Sequence, residues 1–221
     1  MASIDIKNFL KFGSEDHVRD MWENGTIYCN TLEYFRRLED RNLRGDNYEG
    51  TYRIINYPGE SEITLTISET GQAIPLKTSN LHFREFYSDL KGNIYCLTAV
   101  TVQEVVQSRS LKLDLRLSEF GSHFLLVKDN QRFYDMLIDS FVKNNLKVQT
   151  GFVKYYDKKK INGELDLFHK PNEFGYQKEF RILIQNQEIA PIKFQIGSLK
   201  DIADIYETKD LGTLEYKYAP Q

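Results

Sequence analysis

Apolar residues recur at helical spacing in two well-separated segments and at strand spacing through most of the remaining chain. The first apolar block, residues 9–12, is strand-like, and Val18 and Met21 in the segment after it share one face of a helix. Ser14 can cap the start of this helix, and Gly25 follows its end. The pattern predicts a strand followed by an amphipathic helix.

A second unit of the same kind follows directly. Residues 26–30 have the composition of a short strand, and Thr31 can cap a helix that directs Phe35 and Leu38 inward. The next stretch, residues 40–62, is rich in Asn, Gly, Asp, Glu and Arg. We expect a long polar surface loop there, and long loops in compact domains commonly carry function.

The rest of the chain consists mainly of strand-like segments. Residues 93–101 are apolar on both faces, which is typical of a central strand. Phe133, Leu137 and Phe141 predict a second amphipathic helix. The other predicted strands are residues 63–67, 111–117, 122–128, 149–156, 178–185 and 192–196. Together these elements predict a single α+β domain over residues 1–221, dominated by a largely antiparallel sheet.

Composition and charge narrow the functional classes. The chain is 41% hydrophobic and 13% aromatic, as a globular domain should be. A net charge of -3 at pH 7 excludes polyanion binding that is driven by overall charge, and leaves a local basic patch open. No signal-peptide pattern and no long apolar run occurs, so we expect a cytoplasmic protein without a membrane partner.

Cysteine and histidine spacing gives no sign of a metal. Cys29 and Cys96 are far apart and belong to no CxxC motif, and none of the histidines forms an HExxH motif. We therefore expect neither a disulfide framework nor a metal site, and both thiols should be small buried groups.

Glu179 and Arg181 form the first candidate site. Side chains on a strand repeat every two residues, so the two charges lie on one face while Phe180 and Ile182 lie on the other. Two interpretations remain open. The pair either bridges on the solvent side of the sheet or, because the strand is otherwise strongly apolar, lines a cleft.

A second candidate site lies around the helix that Thr31 is predicted to cap. Arginines beside a glycine and a helix N-terminus can hold phosphate, whereas an ordinary solvated helix face with charges four residues apart explains the same residues without a ligand. The residues concerned are Asn30, Tyr34, Arg36, Arg37, Arg41, Arg44, Asp46 and Glu49.

Residues 152–160 form a third candidate site, in which aromatic rings alternate with lysines. Rings stack on bases and amines contact phosphates, so this pattern is typical of nucleic-acid binding, and a strand that ends in a basic hairpin is the alternative. Lys154, Tyr156 and Lys158, with Lys170 further along, are the candidate substrate-binding residues.

Three blocks of the chain resemble a widespread family of uncharacterised bacterial proteins. They are GTIYCNTLEYF at residues 25–35, RGDNYE at residues 44–49 and YQKEFR at residues 176–181, and the likeness spans most of the chain. Membership of such a family names no reaction by itself.

The order of elements also resembles, more distantly, the ADP-ribosyltransferases, in particular the bacterial toxins that modify nucleic acid. That resemblance implies a split antiparallel sheet, NAD as a substrate, and Glu179 as the catalytic carboxylate with Arg181 beside it. It places the NAD-binding residues at Lys11, Asn30, Thr31, Tyr34, Phe35, Arg44 and Thr98.

The implied function is an NAD-dependent mono-ADP-ribosyltransferase that acts as a toxin or phage-defence effector on a macromolecule, with RNA or DNA as one acceptor class and an antitoxin or regulatory protein as a partner. Two alternatives remain. One is a non-catalytic effector domain that binds nucleic acid or protein, and the other is a structural protein in which Glu179 and Arg181 form a fixed ion pair.

Overall fold

The computed structural model describes residues 5–37 and 48–219. Its strands are β1 (Ile6–Gly13), β2 (Thr26–Thr31), β3 (Thr51–Thr66), β4 (Ala73–Phe86), β5 (Asn93–Thr101), β6 (Ser110–Lys112), β7 (His123–Val127), β8 (Val148–Phe152), β9 (Lys154–Tyr156), β10 (Gly163–Glu164), β11 (His169–Pro171), β12 (Glu179–Ile184), β13 (Ile192–Gln195), β14 (Ala203–Glu207) and β15 (Glu215–Lys217). The helices are α1 (Glu15–Asn24), α2 (Leu32–Arg37), α3 (Val102–Ser108) and α4 (Asn130–Lys143), with 3₁₀ turns at Leu115–Phe120, Asn172–Gln177 and Thr208–Thr213.

The main sheet is antiparallel, and few helices accompany it, as the sequence predicted. Within the described residues it has the strand order β13-β2-β5-β1-β7-β14, and β12 followed by β8 extends it from the other edge of β5. β5 pairs with β1, β2 and β12, which confirms that the strand with two apolar faces is central. The architecture is α+β.

The sheet divides along one edge of β5. β1 pairs with this edge from Thr98 to Thr101, and Leu10 lies opposite Thr98. β2 pairs with the same edge only at Asn93 and Ile94. β12 runs along the opposite edge over the whole of this stretch. Among the described strands, the segment between Ile94 and Thr98 therefore has no partner on the side of β1 and β2, and the sheet is open there.

Each face of the sheet carries its own apolar core. α1 and α4 cover one face, where Val18 and Phe133 pack against Phe9, Leu97 and Ile182. The other face is covered by α3 and the 3₁₀ turn at Leu115–Phe120 near β1 and β7, and by α2 near β2. Within the described parts of the chain no helix has the length and apolarity needed to cross a bilayer.

α1 forms as its sequence predicted. The Ser14 hydroxyl accepts a hydrogen bond from the backbone N–H of His17, and Gly25 ends the helix in the left-handed conformation at φ 64°. β1, α1 and β2 are thus consecutive, and the crossover through α1 places β1 and β2 on either side of the opening in the sheet.

The predicted polar loop at residues 40–62 is wrong from Thr51 onwards. Thr51–Thr66 is strand β3, which forms a long hairpin with β4, and β10 pairs with its inner end. Of this hairpin, the sequence predicted only residues 63–67 as a strand. Strand β4 was missed because most of its described side chains are exposed, so no apolar face marks it in the sequence. Residues 40–47 lie outside the described residues.

The predicted strand at residues 111–117 is also wrong. Only Ser110–Lys112 is extended, and the Asp114 carboxylate accepts a hydrogen bond from the N–H of Arg116 and starts a 3₁₀ turn. Two of the alternating leucines, Leu115 and Leu117, fall in that turn, where Leu117 is buried. The capping carboxylate of Asp114 thus favours a turn at a place where the alternation of apolar residues predicted a strand.

Two smaller differences lie near the site. Helix α3 was not predicted, although Thr101 and Glu104 form a capping box at its start. The predicted strand at residues 149–156 is broken at Val153, whose N–H is donated to the backbone oxygen of Glu179. The break separates β8 from β9, and β9 pairs in parallel with β11 instead of continuing in the main sheet.

Candidate functional site

A cavity of about 800 Å³ lies at the opening of the sheet, and volumes of this size are typical of ligand pockets. Its walls come from β1, β2, β5 and β12, from α1 and α2, and from residues near β11. Its lining includes Lys11, His17, Asn30, Tyr34, Phe35, Glu49, Cys96, Thr98, Lys170, Gln177, Glu179 and Arg181.

Glu179 and Arg181 lie side by side on the cavity face of β12, as the alternation predicted. The Arg181 Nε donates to Glu179 Oε1 at 2.6 Å. The side chains are only 6% and 1% exposed. The interpretation as a pair on the solvent side is therefore wrong, and the pair lines a cavity.

Glu49 fixes the other end of the Arg181 guanidinium. Arg181 Nη1 and Nη2 donate to the two carboxylate oxygens of Glu49 at 3.0 and 2.8 Å. Nη1 also donates to the backbone oxygen of Leu167. Such a bidentate pair is strong and directional, so Arg181 is held between two carboxylates.

Lys170 holds the second oxygen of Glu179. Its Nζ donates to Glu179 Oε2 at 2.9 Å and to Gln177 Oε1 at 2.8 Å, and the residue is only 6% exposed. A left-handed residue, Lys178 at φ 46°, separates the 3₁₀ turn that contains Gln177 from β12. Gln177 and Glu179 thus both reach the same ammonium group.

The backbone of Glu179 is also anchored. Its N–H donates to the Tyr155 hydroxyl at 2.9 Å, and its carbonyl accepts from Val153. The break between β8 and β9 is what allows Tyr155 to reach this position. Burial, together with the charge of Glu179, raises the pKa of Tyr155 above its usual value, so the hydroxyl stays neutral.

These contacts keep Glu179 ionised. Burial by itself raises the pKa of Glu179, but the charges of Arg181 and Lys170 outweigh it and hold this pKa well below its usual value. Burial and the Glu179 carboxylate raise the pKa of the Cys96 thiol. Cys96 therefore remains a thiol, which donates a further hydrogen bond to Glu179.

Lys11 enters the opening between β1 and β2. Its Nζ donates to the backbone oxygen of Cys96 at 2.8 Å and lies 4.1 Å from the centre of the Tyr95 ring. Cys96 belongs to the part of β5 that has no partner strand on this side among the described residues. Lys11 thus satisfies an edge carbonyl and brings a positive charge to the cavity.

The start of α2 contributes an aromatic wall. Tyr34 and Phe35 line the cavity and contact each other edge to face, with ring centroids 5.4 Å apart. Asn30 lines it too, whereas Thr31 caps α2 by accepting from the N–H of Tyr34 at 3.0 Å and is not a lining residue. Thr98 lines the cavity opposite Glu179 in the β5–β12 register.

The structure separates most of the basic run from the cavity. Lys154 is exposed, Tyr156 is buried against Ile54 and Leu165, and Lys158 forms an ion pair with Glu173 at 2.8 Å. None of these three lines the cavity, whereas Lys170 lies in it. Arg44 lies outside the described residues.

Comparison with family models, curated proteins and solved structures finds no match for this chain. The site therefore has to be interpreted from its own residues.

Some site residues had little or no signal in the sequence. Cys96 looks like an ordinary core thiol, His17 belongs to no motif, and Gln177 lies in the YQKEFR block without a predicted role of its own. Glu49 was only one member of the polar cluster around α2, and its partner Arg181 is 132 positions away. Among the described residues no group of three or more acidic, cysteine or histidine side chains is placed to hold a metal ion.

Proposed function

We propose that this protein is an NAD-dependent mono-ADP-ribosyltransferase that modifies a macromolecule. The observation that carries the proposal is Glu179, an ionised carboxylate held rigidly at the wall of a cavity in a split antiparallel sheet. Glu49 and Glu179 compensate the charges of Arg181 and Lys170, and Lys11 brings a further positive charge to the same cavity, which suits a ligand with a diphosphate. The proposed role as a toxin or phage-defence effector rests on the resemblance in the sequence, and the proposed cytoplasmic location rests on the lack of a signal-peptide pattern.

The proposed chemistry needs a fixed negative charge at the ribose. The bond between the nicotinamide nitrogen and ribose C1′ breaks, nicotinamide leaves with the bonding electrons, and C1′ acquires oxocarbenium character. The acceptor then forms a new bond to C1′ and loses a proton. Glu179 would stabilise the positive charge, and because it is already oriented, little reorganisation accompanies the reaction.

Glu179 has room for one more hydrogen bond. An ionised carboxylate offers about four acceptor positions. Arg181, Lys170 and Cys96 each occupy one of them. The remaining position can accept a ribose hydroxyl, while the rings of Tyr34 and Phe35 offer an apolar surface on which nicotinamide can stack.

The first test is to incubate the purified protein with NAD labelled in its adenylate phosphate and with separate pools of RNA, DNA and cell protein. We expect the label to pass to one pool, and the Glu179→Gln variant to lose at least about 100-fold of the rate, as expected when a group that stabilises charge in the transition state is removed. The labelled pool names the acceptor class.

A second variant covers the case in which Glu179→Gln does not fold. Tyr34 is 46% exposed, and its backbone N–H, which donates to the capping hydroxyl of Thr31, does not depend on its side chain. Tyr34→Ala should leave the melting temperature unchanged and weaken NAD binding in calorimetry. Tyr57→Ala, at 51% exposure and outside the cavity, is the matched control. A parent protein that neither binds nor consumes NAD would overturn the proposal.

One observation favours a second candidate function, a non-catalytic effector domain that binds nucleic acid or protein. Both oxygens of Glu179 are engaged by cations of its own chain, as in a structural ion-pair network. On this alternative, Glu179→Gln lowers stability and leaves every functional readout of the folded protein intact.

A further inference from the structure

A cluster of aromatic and positively charged side chains lies outside the cavity, where the hairpin meets the turn after β9. The Arg84 guanidinium carbon lies 4.3 Å from the centre of the Tyr48 ring and 5.5 Å from that of Phe86, and the Lys158 Nζ lies 5.3 Å from the Tyr48 ring. We call these four residues the cation–aromatic patch.

The patch has surface to offer a ligand. Arg84 is exposed and Phe86 is 40% exposed. They are two residues apart on β4, so their side chains project from the same face of the strand. His82 continues this row, and its Nε2 lies 3.3 Å from the Tyr48 hydroxyl, which holds the ring in place.

Two chain segments connect the patch to the cavity. Tyr48 is followed by Glu49, whose carboxylate binds Arg181. Lys158 lies three positions after Tyr155, whose hydroxyl accepts from the N–H of Glu179. A molecule bound on the patch is therefore held beside the segments that shape the site.

We propose that the cation–aromatic patch binds single-stranded nucleic acid and presents it to the cavity as the acceptor. The presentation of the nucleic acid as the acceptor rests on the proposed function, whereas its binding to the patch does not. Unpaired bases stack on aromatic rings and on guanidinium planes, and lysines beside the rings meet the phosphates. Lys159 and Lys160, exposed in the same turn, add positive charge, although Lys160 is 3.6 Å from Asp157 and Lys158 is paired with Glu173.

An acidic protein surface would be attracted by the same lysines, and it is the competing class of partner. It gives no reason for two rings to lie beside the same guanidinium. Base stacking does, because every base has a face that fits such a platform. The arrangement also predicts weak dependence on base sequence.

The test is fluorescence anisotropy with labelled single-stranded RNA and DNA of about 12 nucleotides, in the absence of NAD. We expect Tyr48→Ala to weaken binding by roughly 5- to 150-fold, the loss expected for one stacked base, while Tyr48→Phe, which keeps the ring and loses the hydroxyl contact with His82, should weaken binding much less. Arg84→Ala removes a stacking surface and should also weaken binding, whereas Lys159→Ala should reduce the magnitude of the slope of log K against log salt by about 0.7, the value for one phosphate contact.

Lys143→Ala also removes one positive charge, at the end of α4, and should change neither the affinity for the oligonucleotide nor its dependence on salt. Melting temperatures of all variants show whether each is folded. Glu179→Gln should bind the oligonucleotide like the parent, which separates this inference from the proposed reaction. Absence of oligonucleotide binding by the parent, or equal effects of Arg84→Ala and Lys143→Ala, would overturn the inference even if label is transferred to protein.

Discussion

At the scale of single residues, the site depends on charges that are buried but compensated. Arg181 is 1% exposed and lies between Glu49 and Glu179, and Lys170 closes the network on the far side of Glu179. Isolated charges are not tolerated at such positions, so each member requires the others. The result is a carboxylate whose position and ionisation are both fixed.

This network predicts a specific dependence of stability on pH. The pKa of Glu179 is lower in the folded protein than the unfolded value of about 4.3, so its contribution is complete above that pH and is lost as pH falls. At neutral pH, Glu179→Gln should lower the free energy of unfolding by about 3–5 kcal/mol, because it breaks a buried ion pair.

Urea unfolding of parent and Glu179→Gln between neutral pH and about pH 3 measures this effect. The difference between the two proteins should shrink towards acid, because below about pH 4.3 Glu179 takes up a proton in the unfolded parent while it stays ionised in the folded parent. Glu173→Gln, whose side chain is 50% exposed, is the control and should cost less than about 1 kcal/mol. A difference that stays constant with pH would show that Glu179 does not titrate as described.

At the scale of elements, the β1–α1–β2 unit decides where the cavity forms. α1 must end sharply so that β2 can start beside the opening, and Gly25 makes this turn at φ 64°. A Cβ built on Gly25 would lie 2.0 Å from the backbone oxygen of Gly197. The turn and the close approach of two chain segments thus both require glycine here.

Gly71 offers a matched comparison for this turn. It has nearly the same φ of 66°, and a Cβ there would meet nothing within 4 Å. Gly71→Ala should therefore cost only the left-handed strain of about 1–2 kcal/mol, while Gly25→Ala should cost clearly more. Thermal and urea unfolding of both variants provide the measurement, and equal losses would contradict the contact with Gly197.

At the scale of the whole molecule, the core and the hairpin are unequal in stability. β5 is buried on both faces and paired along most of its length, whereas the described side chains of the outer hairpin, residues 63–77, are mostly exposed. Local opening has a low cost where few apolar contacts are lost. The hairpin also carries the exposed residues of the cation–aromatic patch nearer its base.

Native-state hydrogen exchange should resolve this difference. Amides of residues 63–77 are expected to exchange much faster than those of β5, which should be protected up to the global free energy of unfolding. Peptides from β5 in the same sample serve as the internal reference. Equal protection of hairpin and core at all protein concentrations would show that the hairpin is not the weakly held element described here.

The local features of the fold were predictable because they depend on neighbours in sequence. The cap at Ser14, the apolar faces of β5 and the shared face of Glu179 and Arg181 all follow from spacing. Strand β4 and the 3₁₀ turn at Leu115–Phe120 were not predictable, since the strand buries too little and the turn depends on a single capping carboxylate.

Local patterns in the sequence are enough to predict an α+β domain with a central strand and a carboxylate beside a guanidinium. That Glu49 and Lys170 bind this pair, and that Lys11 enters the opening of the sheet, emerges only from the folded chain. The physical reason is that these contacts join residues far apart in the chain. Burial then forces opposite charges together, and no local pattern records which partners meet.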